Sequence, residues 1–179
     1  MSAPPRMRRA EKSMPDERAR AVLESGFCGR LAAIGSDGYP YCVPLLYVLM
    51  DGEVYVHNAR STGHLKSAIE QESRVCFEMD EPGEIFPYGR FECDTSVAFR
   101  SIIVFGKARI VEDGATKQRF FRALMDKYAK DIGGRPKDSF PRIDQITLYA
   151  ITIERMTGKE TPLPELSDRW PAKDRTKSP

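Results

Sequence analysis

The residues best equipped for chemistry crowd into one stretch, Val54 to Lys66, VYVHNARSTGHLK. Val54, Tyr55 and Val56 fit a pleated, half-buried strand. At His57-Asn58-Ala59-Arg60 that chemistry stops, and Ser61-Thr62-Gly63 supplies turn and helix N-cap residues. Leu65, Ala68 and Ile69 then recur at helical spacing. The spacing predicts strand, polar turn, helix start. Free N–H groups at a helix N-terminus favour an anion. Here the Ser61 and Thr62 hydroxyls and the Arg60 and Lys66 cations would join them, with His57 and Asn58 at the adjoining strand end. That set could hold a phosphate with an aromatic ring beside it. The same pattern fits an ordinary strand-to-helix connection around a hydrogen-bonded histidine, and local pattern alone leaves both readings open.

The elements that must position this stretch read as follows. A helix starts near Ser13–Glu17, with Pro15 at its first position and Gly26 as its stop. Phe27–Ile34 and Tyr39–Met50 read as a hairpin across Gly35–Gly38, the second strand interrupted by Pro40 and Pro44. Asp51-Gly52 turns the chain into Glu53–His57. A helix over Thr62–Glu72, a strand over Arg74–Asp80 and a Pro/Gly loop over Glu81–Arg90 follow. Val97–Glu112 is the longest strand, with a bulge or bend expected at Gly106. Ala115–Tyr128 is an amphipathic helix, and Gln145–Glu154 is the last strand. Six antiparallel strands with peripheral helices predict a mainly β (α+β) barrel or sandwich. The division expected is a flexible tail over 1–12, one domain over 13–156 and a C-terminal tail over 157–179. Trp170, the only tryptophan, would pin that last tail either to the chain's own surface or to a cofactor or dimer contact.

Composition narrows the class. Hydrophobic residues make up 41% and charged residues 30%, as in an ordinary globular protein. A net charge of +2 makes no electrostatic case for nucleic acid. No apolar run is long enough to span a bilayer, and the basic N-terminus has no apolar stretch after it to make a secretory signal. The four scattered cysteines and two histidines give no metal spacing, and free thiols in a cytoplasmic protein are expected. Neither G-x-G-x-x-G, a P-loop nor G-x-S-x-G occurs.

Four segments, in order, carry a family resemblance: Cys42-Val43-Pro44-Leu45, Val56-His57-Asn58-Ala59 with Gly63-His64-Leu65, Arg74-Val75-Cys76-Phe77-Glu78, and Phe99 to Gly106. The chain from about 15 to 156 resembles the FMN-binding split-barrel proteins related to pyridoxamine 5'-phosphate oxidase, nearest to the nitroimidazole-resistance group. The resemblance implies a six-stranded split barrel and a homodimer with FMN at the interface. It implies that Val43, Pro44 and Leu45 line the isoalloxazine ring. His57, Asn58 and Ala59 would meet the ring's polar edge or the ribityl chain. Gly63, His64, Leu65 and Lys66 would lie near the phosphate, with Arg100 and Ser101 from a neighbouring strand. The basic residues that pyridoxamine phosphate oxidases use are not recognisable here, and the turn from His57 to Gly63 is a residue longer than in the nitroimidazole-resistance group.

The function this implies is FMN-dependent oxidoreduction of a small molecule, with His57 as proton donor because its ordinary pKa lies near neutrality. A flavin carrier or sensor without turnover is the alternative, as is a haem-binding relative using His57 or His64 as axial ligand. A deazaflavin would need the same ring and phosphate grip as FMN.

Overall fold

The computed structural model describes residues 7–60, 63–134, 136–165 and 168–169. Alternating apolar residues put seven strands into one antiparallel sheet: β1 (Gly29–Ile34), β2 (Pro40–Leu45), β3 (Tyr47–Met50), β4 (Glu53–Ala59), β5 (Arg74–Pro87), β6 (Thr95–Val111) and β7 (Ile146–Thr161). The spatial order is β2-β1-β5-β6-β7-β4-β3. The two edge strands, β2 and β3, are therefore consecutive in the chain and joined by Leu46 alone. A sheet whose first and last strands share a one-residue link must curl on itself, which makes it a barrel with one unpaired seam.

The expected six strands become seven because Tyr39–Met50 is two strands rather than one. Up to Leu45 it pairs with β1; from Tyr47 it pairs with β4. Pro44, which cannot donate to a ladder, lies just before the change of partner. Glu81–Arg90 is not a loop throughout. β5 continues to Pro87, and beyond a register shift between Pro82 and Ile85 it pairs with the start of β6, making a projecting two-stranded arm. β7 runs to Thr161, seven residues past the expected end at Glu154.

The register shift expected at Gly106 occurs between Phe105 and Gly106. A Cβ on Gly106 would stand 2.1 Å from the Thr152 carbonyl oxygen, so only glycine fits the approach. Asp51 and Gly52 both have positive φ, 54° and 79°, as a tight hairpin turn requires.

Three helices close the barrel. Ala19, Val22 and Leu23 of α1 (Asp16–Ser25) and Leu65, Ala68 and Ile69 of α2 (His64–Gln71) join Leu31, Val56, Phe77, Ile102, Val104 and Tyr149 in one inner core. The two helices plug opposite ends. Ala19 lies beside Gly158, near Ile102, whereas the carbonyl of Ser73, two residues past α2's end, accepts a bond from the Ala108 amide. Phe120 and Leu124 of α3 (Gly114–Tyr128) form a second core outside the barrel, with Tyr55, Leu148 and Ala150. Ala10–Lys12 forms a 3-10 turn, Ser13 bridges to Lys159, and the Met14 amide donates to the Gly158 carbonyl. No described helix is long and apolar enough to cross a membrane. All four cysteines, Cys28, Cys42, Cys76 and Cys93, are free. Trp170 lies outside the described residues.

Candidate functional site

The seam of the barrel gathers most of the residues singled out in the sequence. β3 begins at Tyr47, opposite Val56. The last three residues of β4, His57, Asn58 and Ala59, therefore have a strand only on their β7 side. Continuing the β3–β4 register would set Leu45 level with Asn58 and Val43 level with Arg60. The chain instead parts from β4 at Leu46 and pairs Val43 and Leu45 with β1. A cleft results, with β2 on one wall and the end of β4 on the other.

The start of α2 lies at this cleft. The exposed His64 ring sits 5.7 Å from the ring of Tyr41 on β2. The first bond within the helix runs from the Ser67 amide to the Gly63 carbonyl, 3.2 Å, so the amides of His64, Leu65 and Lys66 have no partner inside it. Gly63 occupies the N-cap, no side chain caps the turn, and the first turn holds no acid. This uncapped N-terminus suits an anion. The Lys66 ammonium adds a cation whose contact with Glu70 is loose, 3.8 Å. Ser61 and Thr62, whose hydroxyls were expected in the grip, lie outside the described residues.

Strand alternation sorts the other candidates. Val43 and Leu45 are half-buried and pack on the inner core, whereas Pro44 between them is exposed on the other face. Asn58 faces inward, where the Tyr149 hydroxyl donates to its Oδ1 at 3.3 Å and fixes the amide as a donor toward anything in the cleft. Ala59 is exposed at the strand end. His57 faces the opposite way, beneath α3, with its ring 5.2 Å from Phe120 and 5.7 Å from Phe121. Its Nδ1 is buried without a partner, and burial pushes its pKa below the ordinary histidine value. The chain therefore does not bring His57 and Asn58 to one surface, and the imidazole is neutral near pH 7. Leu65 is 3% exposed, so its side chain belongs to the inner core and only its amide is offered to the cleft. Arg60 turns away, donating from Nη1 to the Asp144 carbonyl at 3.0 Å.

Arg100 and Ser101 do not join the cleft within one chain. Ser101 lies seven residues up β6 from Ala108, where α2's end docks, roughly 20 Å at strand rise. Arg100 pairs there with Glu81 at 2.5 Å, and Ser101 stands opposite Asp80 and Lys159. Sequence reasoning passed over Tyr41 and Tyr149. Tyr41 had a signal in its alternation with Val43; Tyr149 had none, because its partner Asn58 is 91 residues away. No group of three or more His, Cys, Asp or Glu able to hold a metal occurs among the described residues.

The arrangement can hold a flat, partly apolar molecule against Val43 and Leu45, with hydrogen bonds from unpaired β4 backbone and an anionic end on the α2 amides.

Solved structures share this architecture. A flavocytochrome, Anf3 from Azotobacter vinelandii, superposes with a TM-score of 0.73 at 21% identity, covering 90% of this chain and 76% of its own. A protein assigned to 5-nitroimidazole antibiotic resistance in Bacteroides thetaiotaomicron VPI-5482 gives 0.67 at 20% identity, covering 82% and 85%. An FAD and heme binding protein from Mycobacterium smegmatis gives 0.66 at 17% identity, covering 88% and 78%. No curated protein sequence matches. The likeness at these identities is one of fold. Family membership comes from a match over residues 15–160, the greater part of the chain: this protein belongs to the pyridoxamine 5'-phosphate oxidase family.

Proposed function

We propose that this protein binds a flavin mononucleotide in the seam cleft and uses it for oxidoreduction of a small molecule. The observation that carries the reading is the uncapped α2 N-terminus, with Lys66 beside it, facing the unpaired end of β4 across a half-buried apolar wall. These residues fit the group. The His64, Leu65 and Lys66 amides with the Lys66 ammonium would hold the phosphate. Val43 and Leu45 would hold the ring, and the Asn58 amide and β4 backbone would meet its polar edge. Flavin supplies the hydride or electron chemistry when bound; the chain binds it, orients it and excludes water from one face. Solved structures of the same fold include a flavocytochrome and an FAD and heme binding protein, which supports a flavin in general. FMN specifically rests on the single anion site at the α2 start.

A second copy of the chain completes the reading. Arg100 and Ser101 lie too far along β6 to reach their own cleft, so a homodimer with the cofactor at its interface is what could bring them to it. The outer faces of β2, β1, β5 and β6 support this, because they leave Ile34, Ile103 and Phe105 exposed.

The test is a titration of wild type, Lys66→Ala and His57→Ala with FMN and riboflavin, followed by flavin fluorescence quenching. Lys66→Ala is expected to weaken FMN by about 1–3 kcal/mol and riboflavin much less, since riboflavin has no phosphate to lose. His57→Ala, acting through β4, is expected to weaken both alike. Equal weakening of both ligands by Lys66→Ala would remove the phosphate from α2. A Soret band without flavin bands in the purified protein, or no binding of either flavin by wild type, would overturn the flavin reading itself.

A further inference from the structure

A second cavity, of about 400 Å³, opens where the β5–β6 arm leaves the barrel. It lies within a single chain and contains neither α2 nor β4. Its polar lining is two arginines and two glutamates already engaged in pairs: Arg18 of α1 with Glu160 of β7 at 3.1 Å, and Arg100 of β6 with Glu81 of β5 at 2.5 Å. Phe99, Pro162 and Leu163 form apolar walls. Thr161 also lines it, and its Oγ1 is buried with no hydrogen-bond partner. The cavity sits at the register shift between Pro82 and Ile85, where ladder pairing is interrupted.

We infer that this cavity binds a small monocarboxylate with an apolar body, held chiefly by Arg18; its other arginine, Arg100, is the residue that the proposed homodimer turns toward the partner's flavin cleft, so the cavity adjoins that cleft and the inference rests on the proposed function. The Arg18 guanidinium donates to Glu160 from Nη2, whereas the group carries five N–H donors in a planar fork that fits a carboxylate edge. Both pairs are part-exposed, the arginine side chains at 51% and 44% and the glutamates at 28% each, so each pair contributes little to stability. An external carboxylate can then exchange with Glu160 or Glu81 at small cost, and the displaced side chain turns to water. The balance of two cations and two anions favours one negative charge over a phosphate dianion. The volume lies at the lower end of the range for small-molecule sites, which suits a one-ring or short branched body beside Phe99.

The test is calorimetric titration of the full chain with benzoate and with its neutral isostere benzamide. Benzoate is expected to bind saturably, and benzamide at least about tenfold more weakly. Arg18→Gln is expected to weaken benzoate about tenfold or more, and Glu160→Gln to tighten it by removing the internal competitor. Tightening is a readout that damage to the fold would not produce, and it remains usable if Arg18→Gln folds poorly. Neither Arg18 nor Glu160 belongs to the proposed flavin contacts, so loss of carboxylate binding and loss of FMN binding are read independently. Equal binding of benzoate and benzamide, no saturable benzoate binding, or unchanged affinity in Arg18→Gln and Glu160→Gln would overturn the assignment.

Discussion

His57 and Lys127 are buried bases whose nitrogens, Nδ1 and Nζ, find no hydrogen-bond partner. Lys127 lies 4.0 Å over the Tyr47 ring and 5.3 Å from that of Tyr128, and burial lowers its pKa to about 8. Both bases have folded pKa values below their unfolded ones, so the folded state binds fewer protons over the interval between them. Stability therefore rises with pH across each interval and falls as pH drops through it. For Lys127 the interval runs from about 8 up to the ordinary lysine value of 10.5, and for His57 it lies below 6.5. Above pH 10 the raised pKa of Tyr47 works in the opposite direction, because its buried phenol resists the ionisation that unfolding permits. Denaturant melts between pH 7 and 10 are expected to show stability rising above pH 8 in wild type. In Lys127→Met the curve is expected to be flatter and to start higher at pH 7. His57→Leu is expected to flatten the loss between pH 7 and 5. An unchanged pH profile in both variants would show that neither nitrogen is as dry as its surroundings imply. The depressed His57 pKa also bears on its expected role: a neutral imidazole beneath α3 is a poor proton donor at pH 7, a position that residue type alone did not reveal.

Elements were legible where one local rule decided them. Asp51-Gly52 set a hairpin, Gly106 set a register shift, and the 3.6-residue spacing from Ala115 set α3. The divided strand at Leu46 was not legible. Tyr39–Met50 carries strand-forming residues throughout, and the change of partner from β1 to β4 is decided by pairing across the sheet rather than by any residue within the run. The arm was misread for the opposite reason. Pro82, Gly83 and Pro87 look like loop residues, yet two of them sit at a register shift and the third at a strand end, where pairing tolerates them. One helix-to-edge contact shows what local rules miss. The Tyr128 hydroxyl accepts from the Tyr47 amide at 3.2 Å and lies 2.8 Å from the Tyr47 carbonyl and 2.7 Å from that of Phe27. It thereby caps the free edge of β3, where no strand continues. Tyr128→Phe leaves these part-buried groups unsatisfied and is expected to cost about 1–3 kcal/mol in equilibrium unfolding. A loss below about 0.5 kcal/mol would mean that water replaces the hydroxyl without difficulty.

At the scale of the whole molecule, the outer sheet face is the open question. Across β2, β1, β5 and β6 one row reads Cys42, Ala32, Cys76, Phe105, and the next Pro44, Arg30, Glu78, Ile103. α3 covers the other side of the barrel, around β4 and β7. The sequence hinted at the exposed patch, because β6 is apolar at both parities from Ile102 to Phe105 and a one-faced strand would not be. Together with exposed Ile85, Tyr88 and Phe91 on the arm, this face is the basis for expecting a stable homodimer. Sedimentation at micromolar concentration should show a dimer, and Phe105→Glu should shift it toward a monomer. A folded wild-type monomer under those conditions would remove the second copy from the proposed site.

The one-residue link at Leu46 has a mechanical consequence. Neighbouring Cα atoms are about 3.8 Å apart, so Leu45 and Tyr47 can never be separated by more than about 7.6 Å. The two walls of the cleft are thus pinned together at one end, like the arms of tweezers, and can spread only away from the pin. At the far end, the spread is set by how deeply Leu65, Ala68 and Ile69 of α2 wedge into the inner core. The aperture presented to a ligand is therefore governed by three buried aliphatic side chains that no ligand touches. Trimming one of them would narrow the grip, and adding a residue beside Leu46 would loosen it, with every lining residue left in place.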